Sequence, residues 1–360
     1  MKTLSKLKLV VISCVILIAC NKEKSTIITN YVEPGSAFVI NEGNFGHNNG
    51  NISYISHNKN VVNGIYETAN RPSVLGDVIQ SFERVGNTGI ICANNSNKVV
   101  MVDVSTFKQT AVITQSITYP RYALGINSNK AYISNWSFPG LLAVIDLNTK
   151  SVIKTITVGS GPEEMIQASG KVFVANSGGF GNDNTLSIIN PGSDVEEEKV
   201  TVRDYPSEMV LDAQGFIWIL CKGHVEYPAP DYYPHRLSAS YLVRFNPATK
   251  TIVKEIMLIP ASADFSSSDN LAINGTGTQL YFSVDDKIYT IPVTATQLPA
   301  QAFLQKYAYG LNVHPYTGDV WVCDAKDFAS SGTIYRYNQS AVAQDSFKVG
   351  LIPNSIYFNE

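Results

Sequence analysis

Charge is scarce in this 360-residue chain: 16% of its residues are Asp, Glu, Lys or Arg, and the formal net charge is -3. Without a basic excess or a long run of one sign, nothing favours nucleic acid or an acidic membrane surface as an electrostatic partner. Long apolar runs of helical period are also hard to find, whereas Tyr (19) and Phe (15) are plentiful. That balance favours an all-β fold, and the length is enough to bury a large core. Catalytic signatures are missing too: there is no G-x-S-x-G, no H-E-x-x-H and no paired-cysteine motif.

What is present begins at the N-terminus. Lys2, Lys6 and Lys8 precede an apolar stretch, Leu9 to Ala19, too short for an ordinary membrane span, and Leu17-Ile18-Ala19-Cys20 follows. This ending resembles the lipobox of bacterial lipoproteins, which implies a signal peptide over 1–19 and a lipidated Cys20. Acyl chains contribute about 0.8 kcal/mol per buried methylene, so a multiply acylated cysteine is a stable membrane anchor. Residues 20–35 read as a polar, flexible stalk. The Cys-Asn-Lys-Glu start is similar to signals that send lipoproteins of Bacteroidetes to the outer face of the outer membrane, so the expected location is lipid-anchored there and facing the exterior.

From residue 36 onward the chain repeats. SAFVINEGNFGHNNGNISYIS, TGIICANNSNKVVMVDVS, KAYISNWSFPGLLAVIDLNT, KVFVANSGGFGNDNTLSIIN and GDVWVCDAKDFASSGTIYRYN share one grammar: an apolar strand, a polar or glycine-rich interval, then a strand that often ends in Asp or Asn before a turn. A short strand precedes most of them, frequently introduced by proline as at Pro120, Pro162, Pro206 and Pro353, and a fourth follows, as in Ser151 to Val158. Four strands recurring about every 40–50 residues mark a β-propeller blade. Counting predicts seven blades over 36–360, with inner strands near Val74, Leu124, Ile166, Val210, Leu271, Asn312 and Ile356. The last repeat has an inner strand and nothing after it, while the first lacks one. The C-terminal strand is therefore expected to complete the N-terminal blade and close the ring.

The frame P-x-x-[MLI], K-x-[FY]-[VI]-[AS]-N, [SAV]-[VI]-[IF]-[DN], T-x-x-V-x-x-I-x-V-G resembles the YncE-like seven-bladed propellers. Asn41 to Tyr54 (NEGNFGHNNGNISY) is similar to the first blade of surface-lipoprotein propellers of Bacteroidetes. The resemblance spans nearly all of the chain after residue 36. It is specific for fold and weak for function, since propellers carry many activities.

The glycine-rich interval after Lys171–Asn176 poses one chemical question. Gly179 and Gly181 match the first glycines of a dinucleotide fingerprint, but Asn184 replaces the third and a strand follows instead of a helix. A phosphate cradle needs amides at a helix N-terminus, so Gly178 to Asn184 reads as a loop between the second and third strands of a blade.

In a propeller those loops share one face with the loops before each inner strand. The between-strand loops supply Asn41, Glu42, Phe45, Asn94, Asn135, Trp136, Asn176, Phe180, His224, Tyr227, Tyr232, Tyr233, His235, Arg236, Asp324 and Phe328 as candidate ligand contacts. The other loops supply Arg121, Tyr122 and Tyr309. Phe138, Glu163, Glu164, Tyr205, Glu208, Phe265, Asp269, Tyr307 and Asn354 fall on the same loops. Rings and carboxamides around a concave mouth suit a medium-sized, partly flat ligand with amide or hydroxyl edges, although some of these rings can serve only to plug the channel or buttress loops. The interval Cys221 to Ser240 exceeds its counterparts and reads as a lid or contacting arm. His224 and His235 share it with Glu226 and Asp231 at a spacing that matches no zinc helix motif, so no metal site is expected. Cys92, Cys221 and Cys323 occupy one register of different blades and read as small packing residues too far apart to pair.

Among YncE-like lipoproteins of Bacteroidetes are propellers that capture cobalamin and hand it to a TonB-dependent outer-membrane transporter. The resemblance therefore implies a non-catalytic surface lipoprotein binding a corrinoid, with no cofactor of its own. Two other classes use the same scaffold: an adhesion or protein- or glycan-binding module, and a propeller lyase or quinoprotein-like enzyme.

Overall fold

The computed structural model describes residues 30–359; Cys20, the proposed signal peptide and most of the stalk lie outside the described residues. Seven four-stranded antiparallel sheets form the blades of a β-propeller, and an eighth, two-stranded ribbon stands on a loop. Blade 1 takes its three outer strands from the N-terminus and its inner strand, Pro353–Phe358, from the C-terminus. Ala37 pairs with Phe358, Val39 with Ile356 and Asn41 with Pro353, so the ring closes as expected and the inner edge of Ala37–Asn41 is covered.

Each inter-blade layer is apolar. Val172 and Val174 face blade 3, where they meet Tyr132, Leu142 and Val144, while Phe173 and Ala175 face blade 5 and meet Ile217, Ile219 and Cys221. A second strand is thus buried on both faces, which is why it reads as an unbroken apolar run and not an alternating one. Fourth strands border solvent and alternate, as in Ser151–Val158. Cys92, Cys221 and Cys323 are buried free thiols in three different layers, but they do not share one register. Cys92 and Cys323 face the following blade, whereas Cys221 pairs opposite Pro206, as Asn176 does opposite Pro162, and faces the preceding blade.

One inner strand departs from expectation. In blade 2 it runs Ile79–Val85, not near Val74, which stands exposed in an irregular segment. The outer strand of blade 1 is only Val61–Val62, and the helix Ile65–Ala69 takes the place where other blades continue their fourth strand. The chain then needs the stretch through Gly76 to climb back to the start of blade 2. Gly50 and Gly76 bridge on the way, and a Cβ on Gly50 would come within 2.3 Å of the Glu42 carbonyl oxygen.

Inner strands belong to separate sheets, so their facing amides need other partners. Side chains of the preceding blade supply them. Glu83 accepts from the Gly125 N–H (3.2 Å), Glu164 from Met209 (2.8 Å), Glu208 from Leu271, and the Asn312 carboxamide oxygen from Ile356 (2.8 Å). Six of the seven inner strands also start with a register shift. Such bulges re-aim side chains, here towards the central channel.

Candidate functional site

The face carrying the between-strand loops surrounds the channel mouth. A cavity of about 240 Å³ opens there, lined by Glu42, Arg121, Tyr122, Glu164, Glu208, Lys222 and others. Of the sequence-predicted residues, Glu42, Arg121, Tyr122 and Tyr309 meet in this mouth. Tyr309 donates its hydroxyl to Glu42 at 2.8 Å and the Asn354 amide donates to the other carboxylate oxygen at 3.0 Å. Burial pushes the Glu42 carboxyl upward against these two donors and the Arg121 charge. Arg121 donates to Glu163 at 2.9 Å and to Gln80 at 2.6 Å, and its guanidinium lies 4.3 Å from the Trp136 ring centroid.

Across the mouth, Lys222 sits 2.8 Å from Asp269 and 3.5 Å from Glu208. Burial works against its ammonium, but Asp269 and Glu208 outweigh burial and raise its pKa above the ordinary lysine value. Glu164 has no cation at contact distance among the ion pairs of the described residues. Burial first, and the charge of Glu208 second, push its carboxyl up to about 8, although the Met209 N–H and Lys222 pull the other way. The mouth is therefore more charged than the aromatic and carboxamide lining expected from sequence. Gln80, Lys222, Asn270 and Asn312 are among the lining residues that sequence reading missed. For Asn270 the available signal was its alignment with the first x position of the P-x-x-[MLI] frame.

The predicted rings do not form one circle. They gather in separate groups around the mouth. Trp136 and Phe180 make an edge-to-face pair, centroids 5.3 Å apart, in a cleft between blades 3 and 4 that Phe138 also lines. Tyr227 lines a second cleft between blades 5 and 6 with Tyr205 and Phe265, and Tyr233 packs edge-on against Phe265 at 6.2 Å. Tyr232 stands exposed on the same long loop. Phe328 packs edge-on against Tyr309 at 5.4 Å, and Phe45 projects from blade 1.

Other predicted residues serve the scaffold. Asn41, Asn135 and Asn176 are buried, with their amide groups bonded to Ser53, to the Ile133 carbonyl and to Ser187 respectively. Asn94 donates to the Pro120 carbonyl of the next blade at 3.2 Å. Asp324 pairs with Lys306 (3.2 Å) and Lys326 (3.1 Å). Arg236 is buried and donates to the carbonyls of Lys222, Ala263 and Ser266, so it pins the long loop to the body of the protein. That loop carries a small ribbon, Val225–Glu226 paired with His235–Arg236. His224 lies 3.5 Å from Glu226 and His235 lies 3.5 Å from Asp264. Among the described residues no group of three or more His, Cys, Asp or Glu is arranged to hold a metal ion.

A family model described as a domain of unknown function, DUF5074, matches residues 35–348. The chain belongs to that family. No curated protein matches it. Among solved structures, a quinoprotein alcohol dehydrogenase-like protein from Bacteroides thetaiotaomicron is similar with a TM-score of 0.64 at 13% identity, over 92% of this chain and 79% of that one. A candidate 6-phosphogluconolactonase from Bacteroides uniformis gives 0.63 at 13% identity, over 91% and 100%. Hydrazine synthase of Kuenenia stuttgartiensis gives 0.51 at 15% identity, over 70% and 74%. At such identities the likeness concerns the propeller fold alone.

Proposed function

We propose that this DUF5074 propeller is a non-catalytic surface lipoprotein that captures cobalamin or a related corrinoid and delivers it to a TonB-dependent outer-membrane transporter. One observation carries the reading. Phe45, Phe138, Phe180, Tyr227, Tyr232, Tyr233 and Phe265 all stand more than three-fifths exposed on the face of the channel mouth, whereas Tyr316 alone among the described rings does so on the other. Exposed apolar surface concentrated around a polar concavity marks a binding face, and a corrin is broad, flat and fringed with amides.

The chain's path supports the orientation. The Tyr31 N–H donates to the Ser105 carbonyl (3.0 Å) and the Asn359 amide donates to the Tyr31 carbonyl (3.0 Å), both on the face away from the rings. A membrane tether at Cys20 would then leave the ring-bearing face free for ligand. Titration of the purified propeller with cyanocobalamin tests the reading: saturable binding little changed by salt is expected, because the mouth's charges are largely paired internally. Absence of binding overturns it. Cys20→Ala is expected to release the protein from membranes, and protease should reach the wild type on intact cells.

Glu164 favours a second reading. A carboxyl held protonated near neutral pH in a concave site suits an acid or base of a propeller lyase. Turnover by the purified protein that is lost in Glu164→Gln would support that reading against simple capture.

A further inference from the structure

The cleft between blades 3 and 4 differs in kind from the channel mouth. It holds about 280 Å³, and no residue lining it carries a charge. Phe138 and Phe180 stand 94% and 91% exposed at its rim. Its floor is bare backbone, since a Cβ on Gly161 would lie 1.9 Å from the Gly179 nitrogen. Gly178 and Gly179 sit at φ 96° and 64°, which suits glycine and resists other residues.

This loop is fixed before any ligand arrives. The Gly178 N–H donates to the Ser160 carbonyl (2.8 Å), the Ser160 N–H to Asp183 (2.9 Å) and the Tyr205 hydroxyl to the Gly179 carbonyl (3.3 Å). Arg121 supports Trp136 from the channel side, and the indole N–H of Trp136 is buried with no acceptor. A rigid floor lowers the ordering cost of binding, and Phe138 and Phe180 present exposed ring surface at its rim.

We infer that this cleft is a subsite for a planar, uncharged aromatic ring. A sugar fits less well, because its hydroxyls need several partners, and the Ser137 hydroxyl is already donating to the Pro139 carbonyl. A whole corrin exceeds the space, whereas a two-ring heterocycle fits it. The identity of the parent molecule rests on the corrinoid reading: the occupant would be the benzimidazole base at the end of the nucleotide arm, while the corrin lies over the mouth.

Trp218 and Trp321 are buried, so Trp136 is the partly exposed tryptophan and reports on its own cleft. Free 5,6-dimethylbenzimidazole is expected to change Trp136 emission saturably. Phe138→Ala with Phe180→Ala should weaken that binding at least tenfold without lowering the melting temperature. By calorimetry the same double variant should lose tenfold or more for cobalamin, yet less than twofold for cobinamide, which lacks the base. A silent benzimidazole titration, or equal losses for cobalamin and cobinamide, overturns the subsite. If benzimidazole binds through the two phenylalanines but neither corrinoid binds, the ring subsite stands and the corrinoid reading falls.

Discussion

The two faces of this propeller follow different rules. On the face away from the channel mouth, the turns after the third strands repeat one device. Asp103, Asp146, Asn190, Asn246 and Asn338 each turn a side-chain oxygen back onto backbone N–H groups two to four residues ahead. A positive φ recurs at the close of these turns, at Phe107, Lys150, Asp194, Lys250 and Ala341. The opposite face has no such template: its loops range from the tight Val284–Lys287 connection to the pinned ribbon between Cys221 and Ser240. Uniform turns build a ring, and unlike loops on a uniform ring create a surface that can discriminate among ligands.

The comparison breaks first where the ring itself is opened. Truncation after Gly350 removes the inner strand of blade 1 and leaves the Ala37–Asn41 edge unpaired; loss of the cooperative melt by circular dichroism is expected. Two phenylalanines seven residues apart sharpen the contrast. Phe173 is fully buried between blades 4 and 5, and Phe173→Ala should cost about 3–5 kcal/mol in a urea melt. Phe180→Ala, on the exposed loop tip, should stay within about 0.5 kcal/mol.

Function should respond the other way. Tyr232→Ala with Tyr233→Ala is expected to weaken corrinoid binding at least tenfold while the melt is unchanged, because about 0.5–1.5 kcal/mol is lost per stacking contact. An unaffected affinity would move the ligand away from the long loop. Asn246→Ala, on the template face, should lower stability by about 1 kcal/mol, a few degrees in Tm, with no change in affinity.

Stability should also depend on pH through the mouth. The Glu164 pKa is raised on folding, so the neutral carboxyl's contribution is fully present below the ordinary glutamate value of 4.5 and is lost as pH rises towards about 8. Glu164→Gln removes that titration. Relative to the wild type, the variant should gain stability between pH 5 and pH 8, and parallel urea melts at the two pH values read the difference. A constant difference would mean that Glu164 is ionised in the folded mouth.

Much of this architecture was legible in the sequence. Blade count, ring closure and the bounds of the long loop all follow from the repeat, whereas the shared register read for Cys92, Cys221 and Cys323 fails at Cys221, which faces the preceding blade. Blade 2 misled because the usual proline does not start its inner strand, and a five-residue helix displaced the chain before it. In the site, residue type misled more than position. Asn41, Asn135 and Asn176 have the chemistry of ligand contacts, yet each ends a second strand and turns its amide inward. Arg236 sits on the most unusual loop, yet its donors hold that loop in place.

Strand period, turn chemistry and apolar runs are local properties, and a chain with this repeat has little choice but to form blades. The mouth is different, because its neighbours come from separate blades some forty residues apart. Glu164 meets Glu208, and Lys222 reaches Asp269, only once consecutive blades have packed against each other. Which of two adjacent polar residues faces the channel depends on a bulge at the start of the inner strand, as in Pro162-Glu163-Glu164-Met165. There Glu163 turns to Arg121 and Glu164 turns to the next blade. The order of residues determined the scaffold, and the closing of that scaffold decided which charges share the space inside it.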